Sequence, residues 1–235
     1  MIKQYLIGKV YNFILACIQD GLKENQKKES TDIGLALQKN ALSDTANYVS
    51  EKLQNVSSFL HRDSLIDFAL EQSLKSGLFL EFGVYKGESI NLIANKISPN
   101  PIYGFDSFEG LPEYWRDGFG VGTFKINKLP QVEQNVVLIK GWFNESLPKF
   151  LATQKDEVAF LHIDCDLYSS TITIFQCLAD SIKPGTVIVF DEYFNYPLWR
   201  EGEYRAFQEF IASTGLKYEY IGYNRKSEQV AVKII

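Results

Sequence analysis

Apolar positions follow a helical spacing at the start of the chain and give way to a polar stretch. They then settle into short continuous runs separated by amphipathic segments. Tyr5, Leu6, Val10, Phe13, Ile14 and Cys17 recur at roughly helical spacing, which predicts an amphipathic helix that docks or dimerises. Residues 20–60 are polar and charged, with helix expected around 35–53. A helix over 64–75 leads into the first clear strand, 77–82. Further runs rich in β-branched and aromatic residues predict strands near 102–105, 136–139, 158–164 and 186–191. Helices are expected after Lys86, over 170–182 and over 202–214, and two closing strands over 217–222 and 229–234.

Repeated β-α units predict an α/β, doubly wound and mostly parallel sheet, with the closing pair adding an antiparallel edge. The polar N-terminal part suggests a helical extension over 1–62, ahead of a main domain over 63–235. The stretch 107–134 has weak periodicity and carries Tyr114, Trp115 and four glycines. A connection that long is usually functional, and it reads as a lid over a site.

Composition narrows the picture. The 235 residues suit one α/β domain with an appendage, and 46% hydrophobic content supplies a sizeable core. A net charge of -5 disfavours nucleic acid as the main partner, because phosphate binding favours a basic face. Three cysteines with no C-x-x-C pair predict a cytoplasmic protein without disulfides. The first 18 residues are interrupted by Lys9 and Asn12 and are too short and polar to span a bilayer. A targeting or membrane-surface role stays open there, because Ile14-Leu15-Ala16-Cys17 has the outline of a lipoprotein cleavage site.

The candidate chemistry lies at the strand ends, where ligands bind in open parallel sheets. One run stops in Asp164-Cys165-Asp166 and another in Asp191-Glu192. Carboxylates gathered there are costly to desolvate without a positive partner, and a hard divalent cation suits oxygen ligands. The first strand runs into Glu81-Phe82-Gly83-Val84-Tyr85-Lys86-Gly87-Glu88-Ser89. Gly83 permits a tight turn and close ligand approach, while Gly87 and Ser89 stand where a helix opens and N–H groups can face a carboxylate or phosphate. The spacing is not G-x-G-x-x-G, so a pyrophosphate is disfavoured, and a plain tight turn remains open. Asp106, ending the second strand, is placed for a ribose or, more simply, as a helix cap or loop acid. Trp142 and Phe143 can wall an adenine ring or pack in the core. In chain order these features suggest an adenosyl ligand without a pyrophosphate.

The run Leu80 to Ser89 resembles the first motif of class I S-adenosylmethionine methyltransferases, close to the form in catechol O-methyltransferase. Together with 105–112, 141–148, 163–171 and 191–193, it resembles the macrocin O-methyltransferase (TylF/MycF) family across about residues 78–195. The resemblance implies a seven-stranded, Rossmann-like sheet. It also implies S-adenosylmethionine and Mg²⁺, a small-molecule hydroxyl acceptor on a sugar or specialised metabolite, and a homodimer. By resemblance Asp164, Asp191 and Glu192 match the metal positions, with Glu192 standing where the family often has the shorter aspartate. Asp164 also matches the general base. Glu81, Gly83, Tyr85, Ser89, Asp106, Ser107, Trp142 and Phe143 match cofactor contacts. Such a site lowers the pKa of a hydroxyl through the metal, and a carboxylate removes its proton.

Other residues receive plainer readings. His162 shares a strand face with Asp164 and is expected to be a hydrogen-bonded core histidine, or else a support for the acids or a catalytic group. Cys165 lacks a cationic activator in sequence, and Asp166 is expected to cap the helix near Ser169. Tyr168, Tyr193, Tyr196 and Trp199 are expected to flank the acids and stack on a ring substrate, and 200–203 to open a solvated helix. Two other functions remain open. A metal-dependent phosphate-ester hydrolase is weakened by the lack of Lys or Arg at the strand ends, and a non-catalytic adenosyl-binding module by the intact acids.

Overall fold

A parallel strand covered on both faces must be apolar along its whole length, and the continuous runs satisfy that condition. In the computed structural model β2 (Leu78–Phe82), β5 (Val158–Ile163) and β6 (Val187–Phe190) are buried at every residue. The structure describes residues 2–235, with the side chains of 2–6, 8, 12 and 25–29 excepted. The expected contribution of Tyr5 and Leu6 to an apolar helix face lies outside the described residues.

The remaining elements are α1 (Ile2–Thr31), α2 (Ile33–Lys52), β1 (Ser57–Phe59), α3 (Arg62–Gln72), α4 (Glu88–Ile97), β3 (Ile102–Asp106), β4 (Val136–Lys140), α5 (Phe143–Thr153), α6 (Tyr168–Leu178), α7 (Glu203–Thr214), β7 (Tyr218–Asn224) and β8 (Val230–Ile234). The strands form one eight-stranded sheet in the order β1-β7-β8-β6-β5-β2-β3-β4. Only β8 runs against its neighbours, β6 and β7. The expected seven strands become eight because β1 pairs in parallel with β7 at the edge. Thus the helical extension expected over 1–62 also contributes a strand to the main sheet. Its α2 also reaches the core through Ala41 and Tyr48. On α1, Val10, Phe13, Ile14 and Ile18 are exposed in the single chain. No described helix is long and apolar enough to cross a membrane.

Register determines what meets at the sheet's carboxyl rim. Glu81 pairs with His162, and Phe82 with Ile163, which in turn pairs with Phe190. The next residues keep this alignment: the Asp164 N–H donates to the Phe82 carbonyl at 2.9 Å and the Asp191 N–H to the Ile163 carbonyl at 2.8 Å. Side chains alternate between faces, so Phe79-Glu81, Phe160-His162-Asp164 and Val189-Asp191 share one face. Phe79, Phe160 and Val189 pack there with Leu65 and Ile66 of α3 and Ile90 and Ile93 of α4. The opposite face carries Phe82, Leu161 and Phe190 against α6 and α7, through Phe175 and Phe207.

Candidate functional site

The glycine turn after β2 brings its backbone onto the neighbouring strand end. Gly83 has φ +93, and a Cβ there would overlap the carbonyl oxygen of Asp164. Only glycine fits both the conformation and the approach. Gly87, at φ +83, is the N-cap of α4 and leaves its first turn open. Asp106 holds this turn in place. Its Oδ2 accepts from the N–H groups of Val84 (2.9 Å) and Tyr85 (2.8 Å), and its Oδ1 from that of Phe108 (2.6 Å). Asp106 therefore fixes the shape of the glycine turn, besides lining the cavity where a ribose was expected.

Beneath the turn lies a buried ionic row. Glu81 is fully buried; its Oε1 accepts from the Ser89 hydroxyl at 3.1 Å and its Oε2 lies 3.0 Å from His162 Nδ1. The other ring nitrogen, Nε2, stands 3.5 Å from Asp191 Oδ1. Asp191 Oδ2 accepts from Gln229 at 3.1 Å. Burial opposes charge on His162, yet Asp191 and Glu81 outweigh it and lift the imidazole to about 10. Burial likewise pushes Asp191 up, but His162 and Arg62 hold it below the usual carboxylate range. Asp164 shifts the other way, raised well above that range by burial and by the charge of Asp191. Two adjacent carboxylates share one field, and Asp164 is the one that retains a proton first. His162 is thus a hydrogen-bonded core histidine that also anchors an acid of the rim.

Arg62, the first residue of α3, is the site residue that the sequence pattern concealed. Its Nη1 is 3.7 Å from Asp164 Oδ2 and 3.7 Å from Asp191 Oδ2. The expected lack of a basic residue at the strand ends is corrected here: a helix start, distant in sequence, supplies one.

Above this floor opens a cavity of about 610 Å³. Gly83, Tyr85, Ser89, Asp106, Ser107, Trp142, Phe143, Asp164 and Glu192 line it. Glu81, Gly87 and Asp191 are not on its wall: Glu81 and Asp191 lie behind it, and Gly87 faces Pro130 and Val132. The 107–134 stretch covers the cavity with Trp115, Arg116, Phe119 and Phe124. Arg116 anchors it, stacking at 3.8 Å on Trp115 and reaching both carboxylate oxygens of Glu228 at 3.0 and 3.1 Å. The Ser169 hydroxyl donates to Glu113 at 2.6 Å and ties the same stretch to α6.

Several expectations change. Among the described residues, the side-chain groups that come within 4.8 Å of one another in a metal-holding arrangement are those of His162, Asp164 and Asp191, without Glu192. Consecutive residues at a strand end point apart, so Glu192 faces a different neighbourhood. Its N–H donates to Glu203 at 3.2 Å, and both carboxyls are raised well above the usual range by burial and nearby acids. Arg200 and Glu201 are exposed as expected of a solvated start, but Glu203, where α7 opens, is fully buried. Asp166 does not cap α6, whose N-cap is Leu167. It adopts a left-handed backbone at φ +65 and turns into the cavity, where burial pushes its carboxyl up to about 7 against the pull of Arg116. Tyr193, Tyr196 and Trp199 are buried in the core and the Tyr168 hydroxyl donates to Glu209, so none of these four lines the cavity, whereas Trp115 and Phe119 of the lid do. Cys165 is buried and its thiol is raised by that burial, as suits an inert residue.

The donor set fits a hard divalent cation. Asp164 and Asp191 each present an Oδ2 toward the same point, where Arg62 now sits. Asp191 Oδ1, buried, has no hydrogen-bond donor of its own.

Residues 80–193 match a family model described as a methyltransferase domain. The demethyldecarbamoylnovobiocin O-methyltransferase of Streptomyces niveus is 26% identical over 156 residues, which cover 55% of this chain and 58% of that protein. The 8-demethyl-8-(2,3-dimethoxy-alpha-L-rhamnosyl)-tetracenomycin-C 4'-O-methyltransferase of Streptomyces olivaceus is 27% identical over 162 residues, covering 57% and 60%. The match therefore spans under two thirds of the length of these curated relatives. Among solved structures, a calicheamicin methyltransferase superposes with a TM-score of 0.58 at 21% identity, over 88% of this chain and 92% of that one. The O-methyltransferase NovP gives 0.56 at 21% identity, over 73% and 78%. The likeness to these structures is one of fold.

Proposed function

From a chain with the class I S-adenosylmethionine-dependent methyltransferase fold, we propose an enzyme that methylates a hydroxyl of a sugar or specialised metabolite, with Mg²⁺ assisting. The observation that carries this reading is the convergence of the glycine turn, the Trp142–Phe143 wall and the carboxylate rim on one cavity. The motif set and the two O-methyltransferases among the relatives support a place near the macrocin O-methyltransferase (TylF/MycF) family.

Each residue has a task in this scheme. Trp142 and Phe143 flank an adenine, and the bare backbone of Gly83 lets the ligand lie against the sheet. Asp106 keeps the turn in its binding shape through the amide bonds described above. Asp164 and Asp191 would hold the metal. When bound, the donor supplies an electrophilic methyl group and Mg²⁺ lowers the pKa of the acceptor hydroxyl. Asp164 faces Arg62 and Asp191, an arrangement better suited to holding than to proton transfer. Asp166 is on the cavity wall with a near-neutral carboxyl, which suits it to receive the hydroxyl proton. The anchored lid excludes water and gives the acceptor Trp115 and Phe119 as apolar walls.

Binding of S-adenosylhomocysteine, followed by calorimetry, tests the adenosyl part. One site per chain is expected, and Trp142→Ala weakens it by about five- to a hundredfold, the worth of one base-stacking aromatic. Absence of binding to the wild-type protein at millimolar ligand removes the reading. The assignment of the base is tested separately, with an acceptor found by screening hydroxyl compounds. Asp166→Asn is expected to lower kcat by about 10²- to 10⁴-fold while S-adenosylhomocysteine affinity stays within about twofold. An unchanged kcat would return the proton to Asp164.

A further inference from the structure

We propose that Arg62 is a built-in counter-cation that competes with a divalent metal for the Asp164–Asp191 pair, so that metal enters by displacing the guanidinium. The methyltransferase reading supplies the metal in this proposal; the competition itself rests on the geometry of the rim.

Arg62 touches the two carboxylates through one atom each, and both are Oδ2. Asp191 Oδ1 stands beside His162, while Oδ2, which also accepts from Gln229, is the oxygen that faces Arg62. A cation drawn to both carboxylates would meet Arg62 at these two oxygens. The contacts, 3.7 Å each, are longer than the 2.7–2.9 Å of a tight charge-assisted bond. The Arg62 side chain is 31% exposed and borders the cavity, so it has room to swing out.

Charge makes simultaneous occupancy costly. The face holds Asp164, Asp191 and Glu81, with His162 between Glu81 and Asp191 and Arg62 over the outer pair. Asp63, next to Arg62, and Gln229, which donates to Asp191, complete the surroundings. With Arg62 in place one positive charge already stands against both outer carboxylates. A divalent ion arriving at the same oxygens meets a like charge within a few ångströms and gains less from each carboxylate. Without metal the guanidinium keeps the pair from repelling itself apart, so the rim stays shaped in both states.

Mn²⁺ binding to the full chain tests the idea, read by calorimetry and by the loss of the free-ion electron paramagnetic signal. Arg62→Ala is expected to bind Mn²⁺ at least about tenfold more tightly than wild type, since one full charge leaves the site. Arg62→Gln keeps most of the side-chain stem and is expected to show the same tightening, which covers the case in which the alanine variant folds poorly. Saturating Mn²⁺ is expected to raise the thermal midpoint of either variant more than that of wild type. Equal or weaker Mn²⁺ binding in Arg62→Gln, or no binding in any form, overturns the proposal and makes Arg62 a structural ion-pair partner. S-adenosylhomocysteine titrated into the same proteins separates the two readings. Affinity within about twofold of wild type leaves the adenosyl site standing whatever the Mn²⁺ result. Loss of nucleoside binding in all forms removes the methyltransferase reading and leaves the Mn²⁺ comparison to decide the competition.

Discussion

Asp191→Ala is expected to cost about 3–5 kcal/mol of folding stability and to abolish methyl transfer, because it strips the charge that a buried imidazolium and a guanidinium share. Asp191 has an 8% exposed side chain set against His162 and Arg62, with Gln229 donating to it. Removing it leaves His162 charged with Glu81 as the remaining close carboxylate, or forces it to give up its proton. The loss is measurable by urea denaturation of the metal-free protein, and its pH dependence has a defined sign. Asp191 is held below its ordinary 3.8, so its contribution is complete above that value and is lost as pH falls through the lower folded one. His162 is raised from 6.5 to about 10, so its contribution is complete below 6.5 and is lost as pH rises through about 10. The gap between wild type and variant is therefore widest between about pH 4 and 6.5 and narrows on either side. In a nuclear magnetic resonance titration His162 should hold its proton to near pH 10 in wild type and release it earlier in Asp191→Asn. A histidine that titrates alike in both proteins would break the link between the ring and the rim.

Gly83→Ala is expected to be as severe for a different reason. The φ of +93 is one that an L side chain rarely adopts, and the new methyl group would overlap the backbone of Asp164. Main chain cannot yield as a flexible side chain does, because the Asp164 N–H is bonded to the carbonyl of Phe82 next door. Strain and overlap together put the cost at about 4 kcal/mol or more, the range reserved for forced backbone and core damage. Gly120→Ala is the control: nothing lies within 4 Å of a Cβ there, and its backbone is ordinary. Comparable denaturation midpoints for the two variants would mean that the turn is looser than the geometry implies. If Gly83→Ala folds at reduced temperature, it should bind S-adenosylhomocysteine poorly, since the strand ends must part to admit the methyl group.

The alternation of strands and helices was legible because buried parallel strands need unbroken apolar runs, and β2, β5 and β6 have them. Asp164 and Asp191 were legible for a related reason: an acid straight after such a run can only sit at the rim. The three-residue β1 escaped, since Ser57, Ser58 and Phe59 carry no period and their pairing with β7 is tertiary. Helix α5 escaped because Pro148 interrupts its reading, although Phe143, Ser146, Leu147 and Phe150 do fall on a helical stripe. The family resemblance groups Glu192 with Asp191, whereas adjacency at a strand end sends two side chains to different faces. Arg62 carries no local signal at all, because its contacts lie about a hundred residues onward in the chain. The protonated state of His162 is likewise a product of register, through the pairing of Glu81 with His162.

A crystal structure of the chain grown with S-adenosylhomocysteine tests the central claim most directly. The adenine should lie against Trp142 and Phe143, the ribose near Asp106, and the sulfur should point past Gly83 toward Asp164 and Asp166. A nucleoside bound elsewhere, or a cavity that admits none while the protein remains folded, would contradict the account.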